Sequence, residues 1–325
     1  MQTVVVGDPV GDHKDWEGEY AYGTHGTTRV TAPFEIVTQS GELVAFGRKI
    51  KELRPLHKML SGLHYGTSRR SNGMISHSAV FGYMPSDLRI PFTRAAAFCT
   101  RHPEVSAHLE AVGKALEGHL LERKPEQYAA QREMVAKINP LWRMQNELYT
   151  SGIINFNNRL VYHKDRGNFV GSWNSMIVLR KGASGGDLVL PQYNITIAFD
   201  DCVAVWMNAQ DIVHGVTPIV ANTPTGYRMS VVWYAMKGLL NSEDSIAATI
   251  DKASKRKLKT AISRHSRNIA AFNATVRAGK DSLEPLPAGA RKQSKRDGSN
   301  PMPGARFKRG KIERDARKAA KEKTA

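Results

Sequence analysis

The chain reads as an α+β protein: a double-stranded β-helix (jelly-roll or cupin-like) core flanked by helices. Three observations predict this. Short β-type segments, punctuated by Gly, Asn and Pro, fill the stretch from Gly152 to Leu239. Two segments of helical periodicity precede them. Finally, His163 and Asp165 follow one expected strand and His214 begins a later one. A jelly roll brings such distant positions to one open end.

The elements follow in order. Residues 1–100 are β-rich and irregular, with short apolar runs such as Val4-Val5-Val6 and Leu43-Val44-Ala45-Phe46, and are expected to pack on the core. Helices plus the jelly roll occupy 101–240. A helix is expected over 105–123, where Ala107, Leu109, Val112, Leu116 and Leu120 keep near-helical spacing after Pro103. A second is expected over 125–138, with Tyr128, Val135 and Ile138 as inward positions and Pro140 as its stop. Strands are expected near 159–163, 173–180, 187–190, 195–199, 202–207 and 227–236, with Trp173, Trp206 and Trp233 as core residues. Residues 241–278 read as basic amphipathic helices, with Ile246, Ile250, Leu258, Ile262, Ile269 and Phe272 on one face. Residues 279–325, rich in Pro, Gly, Ser and basic residues, read as a disordered basic tail.

Bulk composition narrows the classes. A length of 325 residues with 41% hydrophobic content supports a substantial core in one large domain or two smaller ones. No apolar run approaches membrane-spanning length, and the N-terminal residues lack the pattern of a signal peptide. Cys99 and Cys202, the two cysteines, fit reduced thiols better than a disulfide framework. An intracellular setting is therefore expected: host cytoplasm for a phage protein, the nucleus for a eukaryotic one. The net charge of +17 is unevenly placed. Residues 252–325 carry 22 Lys and Arg against 6 Asp and Glu, whereas residues 1–251 carry 25 against 24. A nearly neutral body with a one-signed arm points to a polyanionic partner, with DNA the expected one. Lys255, Arg256, Lys257 and Lys259 are the expected backbone contacts.

Two histidines and one carboxylate are the ligand set of a non-haem Fe(II) centre that keeps one face open. His163, Asp165 and His214 supply it. Arg228 lies 14 residues past the second histidine, as a grip for the far carboxylate of 2-oxoglutarate requires: a planar guanidinium pairs with carboxylate through two parallel hydrogen bonds. Ser230, two residues along a strand, shares its face and adds a hydroxyl. The remaining metal position suits O₂. Zn(II) accepts the same three ligands, but that reading leaves Arg228 and Ser230 without a purpose.

Residues from about 141 to 239, roughly a third of the chain, resemble the TET/JBP group of 2-oxoglutarate- and Fe(II)-dependent nucleic-acid base dioxygenases, in their compact phage or microbial form. The matching segments are Thr150-Ser151-Gly152-Ile153-Ile154-Asn155, His163-Lys164-Asp165-Arg166-Gly167-Asn168, Gly185-Gly186-Asp187-Leu188, His214-Gly215-Val216-Thr217-Pro218 and Arg228-Met229-Ser230-Val231-Val232-Trp233-Tyr234. The resemblance implies that Asn168 contacts a target base, that Tyr234 stacks on it, and that Arg159 is a second carboxylate-binding arginine. Met236 stands where the TET branch has a histidine against the cytosine ring. A thioether does not replace that hydrogen bond, so another residue must supply it or the substrate differs. The expected activity is hydroxylation of 5-methylcytosine to 5-hydroxymethylcytosine in DNA, the base flipped into the site. The alternatives are conversion of thymine to 5-hydroxymethyluracil, an oxygenase acting on a protein or small molecule, and a non-catalytic DNA-binding barrel.

Overall fold

The structure, a computed structural model, describes residues 1–69, 75–87, 90–245, 247–249 and 251. The elements before the core are β1 (Gln2–Val6), β2 (Thr28–Thr31), β3 (Phe34–Thr38), β4 (Leu43–Lys49), α1 (Pro55–Leu60), β5 (Thr67–Arg69), β6 (Ile75–Met84), β7 (Arg94–Ala95) and α2 (Ala97–Arg101). Two longer helices follow, α3 (Pro103–Arg123) and α4 (Pro125–Ala136). The remaining strands are β8 (Ser151–Phe156), β9 (Asn174–Lys181), β10 (Ala183–Gly185), β11 (Leu188–Leu190), β12 (Ile195–Ala198), β13 (Val203–Met207), β14 (Gly215–Val216), β15 (Ile219–Ala221) and β16 (Tyr227–Tyr234).

These strands make two layers and a ribbon. The large sheet runs β1-β3-β4-β13-β9-β16-β8-β6-β5, with β7 paired to β6. The small sheet runs β14-β11-β12-β2, and β10 pairs with β15 as a separate ribbon. Between the layers, Phe34, Ile36, Val178 and Val205 of the large sheet meet Val30, Leu188, Leu190 and Ile197 of the small one, all fully buried or nearly so. Each such side chain contributes roughly 1.5–3 kcal/mol of burial free energy. The jelly-roll expectation holds.

The first hundred residues add strands to both layers of the core. β1, β3, β4, β5 and β6 extend the large sheet, and β2 adds to the small one in parallel with β12. The strand expected at 159–163 is absent: that segment is irregular, tied to β14 by the Val216 N–H on the Leu160 carbonyl at 2.9 Å and to His214 by an isolated bridge at His163. The preceding segment, β8, is the strand instead.

Two prolines frame α3 and α4. A residue before proline is pushed out of the helical region. His102 (φ −135°, ψ 62°) precedes Pro103, and Lys124 (φ −145°, ψ 69°) precedes Pro125. The break at Lys124 lets α4 turn back while α3 covers the outer face of the large sheet. Trp206 and Trp233 project from that face and donate their indole N–H groups to the Leu116 and Leu109 carbonyls of α3, at 3.1 and 2.9 Å. Gly113 makes room for them: a Cβ there would sit 2.9 Å from the Trp233 ring. Glu35 of β3 closes the far end with a two-pronged pair to Arg123, at 2.6 and 2.8 Å. That pairing draws the Glu35 carboxyl below its ordinary value.

Two carboxyls on α3 are buried against this sheet. Burial, and then the charge of Glu117, pushes Glu110 up to about 8. Burial raises Glu117 to about 7, although its Oε1 accepts the Leu148 N–H at 2.6 Å. Both are favoured as protonated acids in the fold and ionise near pH 4.5 when unfolded. Their contribution to stability is therefore complete below about pH 4.5 and is lost as pH rises through 7 to 8. Thermal melts are expected to show a falling midpoint from pH 6 to pH 9, with Glu110→Gln flattening that slope and melting higher than wild type at the alkaline end. A parent midpoint that climbs over the same range would contradict this assignment.

Candidate active site

Strand parity builds the site. On β16, Met229, Val231 and Trp233 face outward toward the helices, whereas Arg228, Ser230, Val232 and Tyr234 line a cavity between the layers. β8 contributes Ile153 and Asn155, and β9 contributes Asn174 and Met176, by the same alternation. The cavity encloses about 830 Å³, within the roughly 300–1,000 Å³ common for small-molecule sites. Its wall is mainly apolar, and Met84, Met176, Met207 and Met236 give it polarisable thioethers.

His163, Asp165 and His214 meet at one end. The backbones of His163 and His214 exchange two hydrogen bonds of 3.0 Å, so the two rings emerge side by side with centroids 4.3 Å apart. His163 Nδ1 donates to the Val161 carbonyl at 2.8 Å, and His214 Nδ1 donates to the Ile212 carbonyl at 2.9 Å. A carbonyl only accepts, so each neutral ring carries its proton on Nδ1 and its lone pair on Nε2. His163 Nε2 faces Asp165 Oδ1 at 3.6 Å. A lone pair facing a carboxylate oxygen calls for a cation between them. The ligand atoms of all three residues lie within 4.8 Å of one another. Two imidazole nitrogens and a carboxylate oxygen thus fit an Fe(II) site.

Arg228 forms the second feature. It is 1% exposed. Nη1 donates to Ser230 Oγ at 3.0 Å, while Nε and Nη2 are buried and meet no hydrogen-bond partner among the described residues. Burial, reinforced by the nearby positive charge of Arg180, lowers its pKa to about 10. Buried, unsatisfied guanidinium N–H groups are costly unless something anionic completes them. A carboxylate fits that need. Gly186 lets the chain pass close by: it has φ +67°, and a Cβ would lie 3.2 Å from Arg228 Cδ and Nε. The Gly185-Gly186 turn thus shapes the guanidinium's cradle, and Asp187 beyond it is anchored by Arg29 at 2.8 Å.

The other expected site residues divide. Asn168 and Tyr234 line the cavity, but Asn168 spends one amide hydrogen on Asn174 Oδ1 at 3.0 Å. Arg159 is not brought to the cavity wall. Its Nη2 donates to the Ala21 carbonyl at 3.2 Å, and its guanidinium stacks over Tyr20 and Tyr22 at 4.3 and 4.9 Å. It braces the N-terminal segment, and its Nε is buried with no hydrogen-bond partner among the described residues. Lys255, Arg256, Lys257 and Lys259 lie outside the described residues, as do the helices expected from 252 onward and the tail at 279–325. Asn174 was not foreseen. Its signal was a lone amide on the inner face of an expected apolar strand.

A second cluster, His57, Asp201 and Cys202, also gathers metal-type ligands. Hydrogen bonding accounts for it. His57 Nδ1 meets the Tyr227 hydroxyl and Nε2 meets Asp201 Oδ1, both at 2.6 Å. Burial, and then the charge of Asp201, pushes the Cys202 thiol up to about 12, which disfavours the thiolate a metal would take.

Fold and side chains together define a jelly roll with a two-histidine, one-carboxylate centre beside a buried arginine. The fold is similar to that of NgTET1, solved in complex with 5mC DNA: the TM-score is 0.54 at 15% identity, over 78% of this chain and 90% of that one. Shorter matches are an oxidoreductase of the 2OG-Fe(II) oxygenase family from Burkholderia pseudomallei (TM-score 0.22, 19% identity, 26% of this chain and 43% of that one) and a viral collagen prolyl hydroxylase from Paramecium Bursaria Chlorella virus-1 in its 2OG complex (TM-score 0.23, 11% identity, 36% and 72%). No family model matches the sequence, and the search of curated proteins gives no match. No helix among the described residues is long and apolar enough to cross a membrane.

Proposed function

We propose that the protein is a 2-oxoglutarate- and Fe(II)-dependent DNA dioxygenase that hydroxylates the 5-methyl group of a pyrimidine, with 5-methylcytosine as the favoured substrate. One observation carries the reading: two Nε2 lone pairs and Asp165 converge at the end of a cavity whose wall holds a buried, unsatisfied arginine. The jelly-roll fold shared with NgTET1, seen with 5mC DNA, supports the choice of substrate class.

His163, Asp165 and His214 would hold Fe(II), and Arg228 with Ser230 would bind the distal carboxylate of 2-oxoglutarate. Bound there, the metal with 2-oxoglutarate and O₂ supplies the oxidising power to hydroxylate a methyl C–H, releasing succinate and CO₂. The chain's own residues orient and enclose. The Val161 and Ile212 carbonyls keep both rings in the metal-binding tautomer. The mainly apolar wall would limit water around the reacting methyl group. Tyr234, at the cavity edge of β16, offers a ring face to an extruded base, an extrusion that costs a few kcal/mol. The basic residues beyond 252 would neutralise phosphates.

Met236 favours a second substrate. It lines the cavity, and its thioether offers only a weak acceptor to the polar edge of cytosine. Thymine, giving 5-hydroxymethyluracil, is the alternative. Nucleoside mass spectrometry after incubation with methylated and unmethylated DNA, Fe(II) and 2-oxoglutarate separates them in one run. 5-Hydroxymethylcytosine from methylated DNA alone is the expected product. 5-Hydroxymethyluracil from both DNAs moves the assignment to thymine, and succinate release without any modified nucleoside refutes base hydroxylation.

A further inference from the structure

We infer that Asn174, itself held by Asn168, is a positioning residue that fixes the Asp165 carboxylate as a one-oxygen metal ligand. The inference rests on the metal site proposed above and assigns Asn168 a task other than base reading. Asp165 has two carboxylate oxygens with different fates. Oδ2 accepts from Asn174 Nδ2 at 2.8 Å. Oδ1 faces His163 Nε2 at 3.6 Å. A carboxylate only accepts, so Asn174 must present its NH₂ group to Asp165 and its carbonyl oxygen away. That oxygen takes the Asn168 Nδ2 at 3.0 Å, so Asn168 must likewise present its NH₂ group. The polarity of the chain Asn168 → Asn174 → Asp165 is thereby set by the carboxylate at its end.

The backbone makes this chain rigid. Asn174 opens β9 in register with Met207 of β13 and is 2% exposed. Asn168 is 4% exposed, donates its backbone N–H to the Asp165 carbonyl at 3.1 Å, and forms an isolated β-bridge with Met236. Neither amide can swing into solvent without leaving a buried partner unsatisfied. With Oδ2 occupied, only Oδ1 is directed at the metal position, which leaves the opposite face to co-substrates. Loss of the Asn174 amide lets the carboxylate rotate and offer both oxygens.

Cobalt(II) titrated into chelator-treated full-length protein tests this without turnover, because visible absorption reports both affinity and coordination number. Asn174→Ala is expected to weaken cobalt binding roughly 10- to 100-fold, the usual cost of losing an outer partner of a metal ligand, and to change the absorption band as the carboxylate becomes two-pronged. Asn168→Ala is expected to weaken binding less and in the same direction. Cobalt affinity and band unchanged in Asn174→Ala overturn the inference while leaving the metal site standing. Wild-type protein that takes up no cobalt overturns the metal site itself. Should Asn174→Ala fail to fold, Asn168→Ala decides: weakened cobalt binding supports the chain, whereas unaltered cobalt binding with weakened DNA binding returns Asn168 to the base.

Discussion

Replacing Arg228 with leucine is expected to raise the thermal midpoint of the protein on its own and to remove most of its response to 2-oxoglutarate. The two effects have one cause. The guanidinium is almost fully enclosed, and two of its three nitrogens lack partners among the described residues. Arg180 adds like charge nearby. A buried charge without its partner destabilises a fold, and an apolar side chain of similar volume often stabilises it. Once a carboxylate arrives, the sign reverses: truncating one member of a buried charged pair costs about 2–4 kcal/mol, or roughly 30- to 1,000-fold in affinity. The comparison is a pair of melting curves. Wild type should gain about 2.7 kcal/mol of stability at a 2-oxoglutarate concentration 100 times its Kd, and Arg228→Leu should gain less than about 1 kcal/mol at that concentration. A variant that still responds like the parent would mean that the distal carboxylate binds elsewhere.

His163→Ala should eliminate product while sparing the fold. The backbone bridge to His214 is made by main-chain atoms and survives the substitution. The substitution removes a proposed metal ligand, and the hydrogen bond it loses to Val161 is worth about 1 kcal/mol. The melting curve should therefore shift by a few degrees at most for a protein of this size, DNA affinity should stay near the parent value, and modified nucleoside should fall below detection. Measurable turnover in this variant would remove His163 from the metal.

Much of the site was legible in the sequence because its chemistry is written in rare residue types at informative places. His163, Asp165, His214 and Arg228 stand out among apolar neighbours, and the structure brings all four to one cavity. Strands β9, β11, β12, β13 and β16 were visible through apolar runs between Gly and Pro, and α3 and α4 through their prolines. Other features depend on contacts between residues far apart in the chain. Arg159 lies four residues before a metal-type histidine and invites a co-substrate role, yet Tyr20 and Tyr22, more than a hundred residues earlier, claim it. Asn174 looks like an ordinary polar start to a strand until register with Met207 aims it at Asp165. β6 opens on the polar run Ser76-His77-Ser78, which hides the apolar Ala79-Val80-Phe81 that follows, and its pairing with β8 and β5 shows only in the fold.

β16 carries a consequence for how this protein can change. Odd-numbered residues there anchor the scaffold and even-numbered ones line the cavity, so inserting a single amino acid between Tyr227 and Tyr234 would exchange the two sets downstream of it. An indole would enter the reaction chamber and a hydroxyl or guanidinium would be driven under a helix. Evolution of new substrates in this scaffold is therefore confined to swapping side chains in place along that strand, while changes in length must be borne by the loops.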